Sequence, residues 1–261
     1  MSHPPSHHAS HQPGHQPDAT AEPIDVSERT RAMGDRPGER LETRLFMQLL
    51  VFHCDAPLSP AHAIQTLSQN LVKQQCSCVL YEDVNNPRGI ALLTWSQAPS
   101  DFVTKVRPAF DTAQLAGLRL LPEFTMIGRT YATGFEPDLK FWLLDRPHQT
   151  ALNPAWPWAV WYPLRRIGAF ERLSPQEKGG IMKEHAEIGK AYGAADLAHD
   201  IRLACYGLDA KDNEFVIGLI GKDLHPLSHV VQAMRKTRQT AEFIGQMGPF
   251  FVGHAVFRHG G

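Results

Sequence analysis

The sequence predicts an α+β fold: two ferredoxin-like β-α-β-β-α-β units that together form an α+β barrel. Three observations predict it. The order strand, helix, strand, strand, helix, strand runs through residues 41–134 and returns in residues 158–261. In each half a breaker-rich turn separates the two central strands, Asn85 to Gly89 in the first and Asp209 to Asn213 in the second. A four-stranded sheet of this order carries its helices on one face only, so its other face needs a cover, which a twin unit supplies.

Residues 1–40 are rich in Pro, His, Ser and charge, with few large apolar residues. Such a segment cannot bury enough surface to offset its chain entropy, so a disordered tail is expected. His3, His7, His8, His11 and His15 lie there and suggest at most weak metal affinity. Leu45 to Cys54 is an apolar run of strand length. Ser59-Pro60 opens a helix with Ile64, Leu67 and Leu71 on one stripe. Cys76 to Asp83 and Gly89 to Trp95 read as a hairpin, Ser100 to Thr112 as a second helix, and Arg119 to Thr133 as extended chain. The linker, residues 135–157, holds Pro137, Pro147, Pro154 and Pro157, which exclude a long regular element.

The second half starts with a strand from Trp158 to Ile167 and a helix from Ser174 to Gly193. Strands follow at Ile201 to Leu208 and Glu214 to Ile220, then a helix from Leu224 to about Thr240 and a strand from Pro249 to Phe257. Ser174-Pro175-Gln176-Glu177 has the form of a capping box. Beyond it Ile181, His185, Ile188 and Tyr192 recur at helical spacing and define one stripe, while Lys183, Glu184, Glu187 and Lys190 take the other faces. His185 on that stripe is open to two readings. It is a satisfied core histidine, or it is the single protein ligand of a metal or haem iron.

Composition narrows the function classes. The chain has 261 residues, a formal charge of -1, 43% apolar and 20% charged residues. Near-neutral charge gives no reason to expect nucleic acid or an anionic membrane as partner. No apolar run approaches a membrane span, and no signal-peptide core is present at the start. Cys54, Cys76, Cys78 and Cys205 show no disulfide framework, so reduced thiols and a cytoplasmic location are expected.

Four stretches of the second half carry a resemblance. They are Trp161-Tyr162-Pro163-Leu164-Arg165-Arg166; Leu173-Ser174-Pro175 with Met182-Lys183-Glu184-His185 and Gly189-Lys190-Ala191-Tyr192; Gly207-Leu208-Asp209 with Asn213-Glu214-Phe215; and Met234-Arg235-Lys236-Thr237 with Gly248-Pro249-Phe250-Phe251-Val252-Gly253. Together they resemble the chlorite dismutase family, which includes coproheme decarboxylases. The resemblance implies a paired ferredoxin-like barrel, a haem or iron coproporphyrin cofactor, and a homo-oligomer, commonly a pentamer. By position His185 matches the iron ligand, with Ile181 and Ile188 flanking it on the cofactor side. Tyr162 matches the tyrosine that decarboxylases oxidise beside a propionate, and Arg166 a lysine near the propionates, where a forked cation suits carboxylates. Arg165 alternates to the other strand face.

Three residues compete for the open side of the iron. Counting back from Gly207, Asp200 stands where chlorite-degrading members have an arginine; Arg202 lies two residues along the same strand face, and His199 is the third. Asp200 could accept a proton from peroxide. The glutamate that often holds the ligand imidazole is replaced by Arg238 or Gln239, with Glu242 one turn on, and Phe170-Glu171 replaces a common tryptophan pair. The expectation is a haem-dependent oxidoreductase in which hydrogen peroxide drives decarboxylation of iron coproporphyrin. Chlorite dismutation to chloride and dioxygen, or a non-enzymatic haem carrier or sensor, are the alternatives. The site is expected in the second half, with the first half as scaffold.

Overall fold

A computed structural model describes residues 23–261, apart from positions 33 and 36. The His-rich stretch lies outside the described residues. Strands β1 (Glu28–Arg29) and β2 (Arg40–Leu41) pair with each other. This moves the start of structure into the segment read from composition as a disordered tail. The reason is electrostatic rather than apolar: the Glu28 carboxylate takes Arg129 Nη1 at 3.0 Å and the Ala132 amide at 2.9 Å.

The first unit contains β3 (Phe46–Cys54), α1 (Pro60–Lys73), β4 (Ser77–Asp83), β5 (Gly89–Ser96), β6 (Leu118–Leu120) and β7 (Met126–Arg129). Ser59 caps α1 by accepting from the His62 amide. The expected second helix is replaced by a π-type turn at Phe102–Val106 and a 3₁₀ turn at Arg107–Phe110. Pro108 lacks the amide that a continuous α-helix needs there. In the linker, α2 (Arg146–Leu152) forms because Pro147 falls in its first turn, where a missing amide costs nothing.

The second unit contains β8 (Trp158–Arg166), α3 (Pro175–Ala194), β9 (His199–Ala204), β10 (Phe215–Gly221), α4 (Leu224–Met234), β11 (Ile244–Met247) and β12 (Phe251–Gly260). The capping box on α3 is present: Ser174 Oγ accepts from the Glu177 amide and Glu177 Oε2 from the Ser174 amide. α4 stops earlier than the periodicity suggests. The Thr237 hydroxyl donates to the Met234 carbonyl at 2.7 Å, and a π-type turn at Gln239–Phe243 follows.

The strands run β7-β3-β5-β4 in the first unit and β12-β8-β10-β9 in the second, all antiparallel. In each unit that is the order fourth, first, third, second. β4 joins β12 and β7 joins β9, so the two sheets close into the expected barrel. Its interior holds Met47, Leu49, Tyr81, Leu93, Trp161 and Phe251. Outside, α1 covers Leu80, Ile90 and Leu92, and α3 with α4 covers Val160, Tyr162 and Leu219.

Gly218 shows how tightly the interior is filled. It pairs with Trp161 across β10 and β8, and a Cβ there would lie 2.5 Å from the fully buried indole. Gly218→Ala is expected to lower stability by about 1–3 kcal/mol, because the indole has nowhere to move. A urea midpoint unchanged from the parent would contradict this.

Candidate functional site

Strand alternation decides which side chains face α3. On β9, Ile201 and Leu203 point into the barrel, so Asp200 and Arg202 point out toward the helices. On β8, Trp161 points in and Val160, Tyr162 and Leu164 point out. Register then aligns them. Tyr162 pairs with Ile217, and Ile217 with Arg202, which makes one row across three strands. Val160, Leu219 and Asp200 form the next row. At about 4.8 Å per strand, the Tyr162 and Arg202 backbones stand roughly 10 Å apart on one face.

α3 lies over this face. Ile188 and Tyr192 pack on the Val160 and Tyr162 cluster, while Ile181 is buried against Phe170 and Phe243. His185 falls between these anchors, half-buried, and its Nδ1 is shielded from solvent with no hydrogen-bond partner. Burial, with the Arg202 cation next, holds its pKa below the usual value, against opposing pulls from Asp200 and Glu184. The imidazole is therefore neutral near pH 7, the form that ligates metals.

This shift has a stability consequence. A histidine with a lowered folded pKa binds fewer protons folded than unfolded, so its contribution is intact above the ordinary value of about 6.5 and is lost as pH falls below it. The ligand-free protein should lose stability as pH falls below about 6.5, and His185→Ala should lose less over the same interval. Urea midpoints across the interval check this, and equal losses in the two proteins would refute it.

Asp200 does not stand alone. Its Oδ1 takes Arg146 Nη2 at 2.7 Å, its backbone carbonyl takes Arg146 Nη1 at 2.8 Å, and its Oδ2 takes Arg202 Nε at 3.0 Å. Burial pushes the Asp200 carboxyl up, but Arg202 and Arg146 outweigh it and hold the group below the usual carboxylate range. Arg146 comes from α2 and stacks on Trp142. Tyr131, just past β7, is half-buried against Phe215, and its raised pKa, chiefly from desolvation, is also tuned by Arg202 and Asp200. Sequence reasoning missed both residues, because it confined the site to the second half. The one available signal was that Tyr131 continues the alternation of β7 toward β9.

Other expected residues are placed less openly. Arg166 is taken by Glu214 Oε2 at 2.9 Å and lies over Phe170, with 10% of its side chain exposed. Arg165 is half-buried and reaches Gln246. His199 stacks on Trp156 and pairs with Asp196 at 2.8 Å. Tyr162 is buried and stacked on Phe250; burial, with Asp200 adding to it, raises its pKa, so it stays a phenol. Glu242 pairs with Arg238 at the surface, whereas Gln239 is buried with an unpartnered Oε1. The Arg238 amide donates to Glu184 at 3.0 Å, which docks this turn beside His185.

Among the described residues no group of three or more His, Cys, Asp or Glu is placed to hold a metal ion, which leaves a lone imidazole such as His185 to act as a cofactor's ligand. It fits an iron porphyrin on two counts: an unpartnered neutral imidazole, and a facing apolar surface edged by guanidinium groups. A cavity of about 340 Å³ lies elsewhere and is lined by Thr94, Trp95, Lys105 and His148.

No curated protein matches the chain significantly. Among solved structures, a heme-binding protein from Thermus thermophilus is similar at 19% identity and a TM-score of 0.65, over 83% of this chain and 92% of that one. A double variant of chlorite dismutase from Candidatus Nitrospira defluvii is similar at 14% identity and a TM-score of 0.66, over 83% and 93%. The same enzyme in complex with imidazole gives 15% and 0.64, over 83% and 93%. At such identities the likeness is one of fold. The family described as chlorite dismutase matches residues 92–256, well over half of the sequence. That stretch takes in β8, β9, α3 and the segment that supplies Tyr131 and Arg146, and on this match the chain belongs to the chlorite dismutase family.

Proposed function

We propose that the protein binds haem-type iron porphyrin and decarboxylates iron coproporphyrin with hydrogen peroxide. The observation that carries this reading is the unpartnered, neutral His185 facing the row of Tyr162, Ile217 and Arg202. The porphyrin iron would supply the redox chemistry that consumes peroxide. His185 would hold the iron, with Ile181 and Ile188 fixing its helix. Val160, Ile217 and Leu219 would exclude water from the porphyrin face.

Tyr162 keeps its proton at neutral pH, so its oxidation removes an electron and a proton together. Tyr162 would then recover a hydrogen atom from a substrate propionate, and the porphyrin iron would supply the second oxidation that lets carbon dioxide leave. Each propionate then balances as –CH₂CH₂COOH + H₂O₂ → –CH=CH₂ + CO₂ + 2 H₂O. Arg202 offers a cation to the bound oxidant. Asp200 is a weak base here, since both its oxygens are held by guanidinium groups. Arg166 could hold a propionate only by sharing Glu214.

A mass measurement tests the reading. Iron coproporphyrin and peroxide are added, and the porphyrin product should lose two units of carbon dioxide with their hydrogens. Porphyrin binding with unchanged mass would leave a carrier or sensor. Arg202 on the α3-facing side favours one second reading, chlorite dismutation, which dioxygen release from added chlorite would reveal. The homo-oligomeric ring implied by the resemblance and the cytoplasmic location expected from the free cysteines belong to the same proposal.

A further inference from the structure

We infer that Arg146, a linker residue outside the half that carries His185, sets the charge of the anion-binding side of the site and so its affinity for small anions. This deepens the reading of a porphyrin site under α3 and rests on it. Asp200 and Arg202 alone would make a neutral pair, joined at 3.0 Å. Arg146 occupies the other carboxylate oxygen at 2.7 Å and the carbonyl of the same residue at 2.8 Å. One carboxylate is thus shared between two guanidinium groups, which leaves these three groups with one net positive charge before the nearby Glu136 is counted. Arg202 is the partner that can use it. It lies in the row with Tyr162, about a third of its side chain is exposed, and Asp200 is divided rather than committed to it. Without Arg146, Asp200 would bind Arg202 more fully and cancel it.

Glu136 also lies near Arg202, but it already accepts from the amides of Thr133, Gly134 and Phe135 and from the Thr133 hydroxyl. Its charge is common to every variant below and drops out of their comparison. Arg146 reaches the sheet through Asp200. It is a positioning residue that acts through Asp200.

The test counts charge. The full-length protein is loaded with haem in the ferric state, and azide dissociation constants are read from the Soret band at neutral pH. Arg146→Gln keeps hydrogen-bonding capacity and removes one positive charge, and should weaken azide about tenfold. Arg146→Lys should stay close to the parent. Asp200→Asn should tighten azide about tenfold, and the double variant R146Q/D200N should return near the parent value. A purely structural role predicts the opposite for the double variant, which would then be worse than either single change.

The same titration in porphyrin-free protein follows the Arg202 Nε–H signal by NMR. Azide should shift it in the parent and shift it less in Arg146→Gln. Absence of any Soret shift on adding haem would overturn the porphyrin reading and leave this NMR arm to decide the inference. Equal azide responses in the parent and Arg146→Gln, in either arm, would overturn the inference itself.

Discussion

His185→Ala is expected to abolish the Soret shift on haem addition while leaving the ligand-free protein at least as stable as the parent. Loss of an outer partner of a metal ligand costs roughly 10–100-fold in metal affinity, and loss of the ligand itself should cost more. The stability half of the expectation comes from Nδ1, which is buried and unpartnered. Such a group carries a penalty of about 1–3 kcal/mol, which its removal relieves. The void left is small in effect, because the side chain is half-buried and Ile181 and Ile188 keep α3 seated. Soret titration and a thermal melt of the same preparation test both halves. A variant that still binds haem tightly would remove His185 from the iron, and one that melts well below the parent would make it an ordinary packing residue.

Tyr162→Phe should lower carbon dioxide loss at least about a hundredfold, some 2.7 kcal/mol of barrier, and leave haem binding near the parent. Phenylalanine preserves the ring that stacks on Phe250 at 4.6 Å, so the apolar face is kept and only the oxidisable O–H is lost. A product mass that still falls by two carbon dioxide units at the parent rate would dismiss Tyr162 from the reaction. Equal losses of porphyrin binding and turnover would instead mark it as a packing residue.

Periodicity carried the fold, because each signal was local. The capping box at Ser174, the stripe from Ile181 to Tyr192 and the breaker turns at Asn85 to Gly89 and Asp209 to Asn213 fixed most elements to within a few residues. The failures were local too. Pro108 divided a segment read as one helix, while Pro147 started a helix where it was read as a breaker. The difference is position within the element, which composition does not reveal. At the site, the strand faces of Tyr162, Asp200 and Arg202 followed from alternation alone. Arg146 could not be found that way. It meets Asp200 across 54 residues of chain, and neither a period nor a motif links the two.

The barrel's two closures are unequal. Seven residue pairs join β4 to β12, from Ser77 with Gly260 to Asp83 with Gly253. A single pair, Arg129 with Ala204, joins β7 to β9. The molecule is thus closed by a long spine on one side and a short clasp on the other. Opening free energies in a folded protein vary from region to region, and the clasp has far fewer backbone bonds to break. It also lies beside Tyr131 and Arg202. The most easily opened part of the barrel wall therefore borders the charged end of the site.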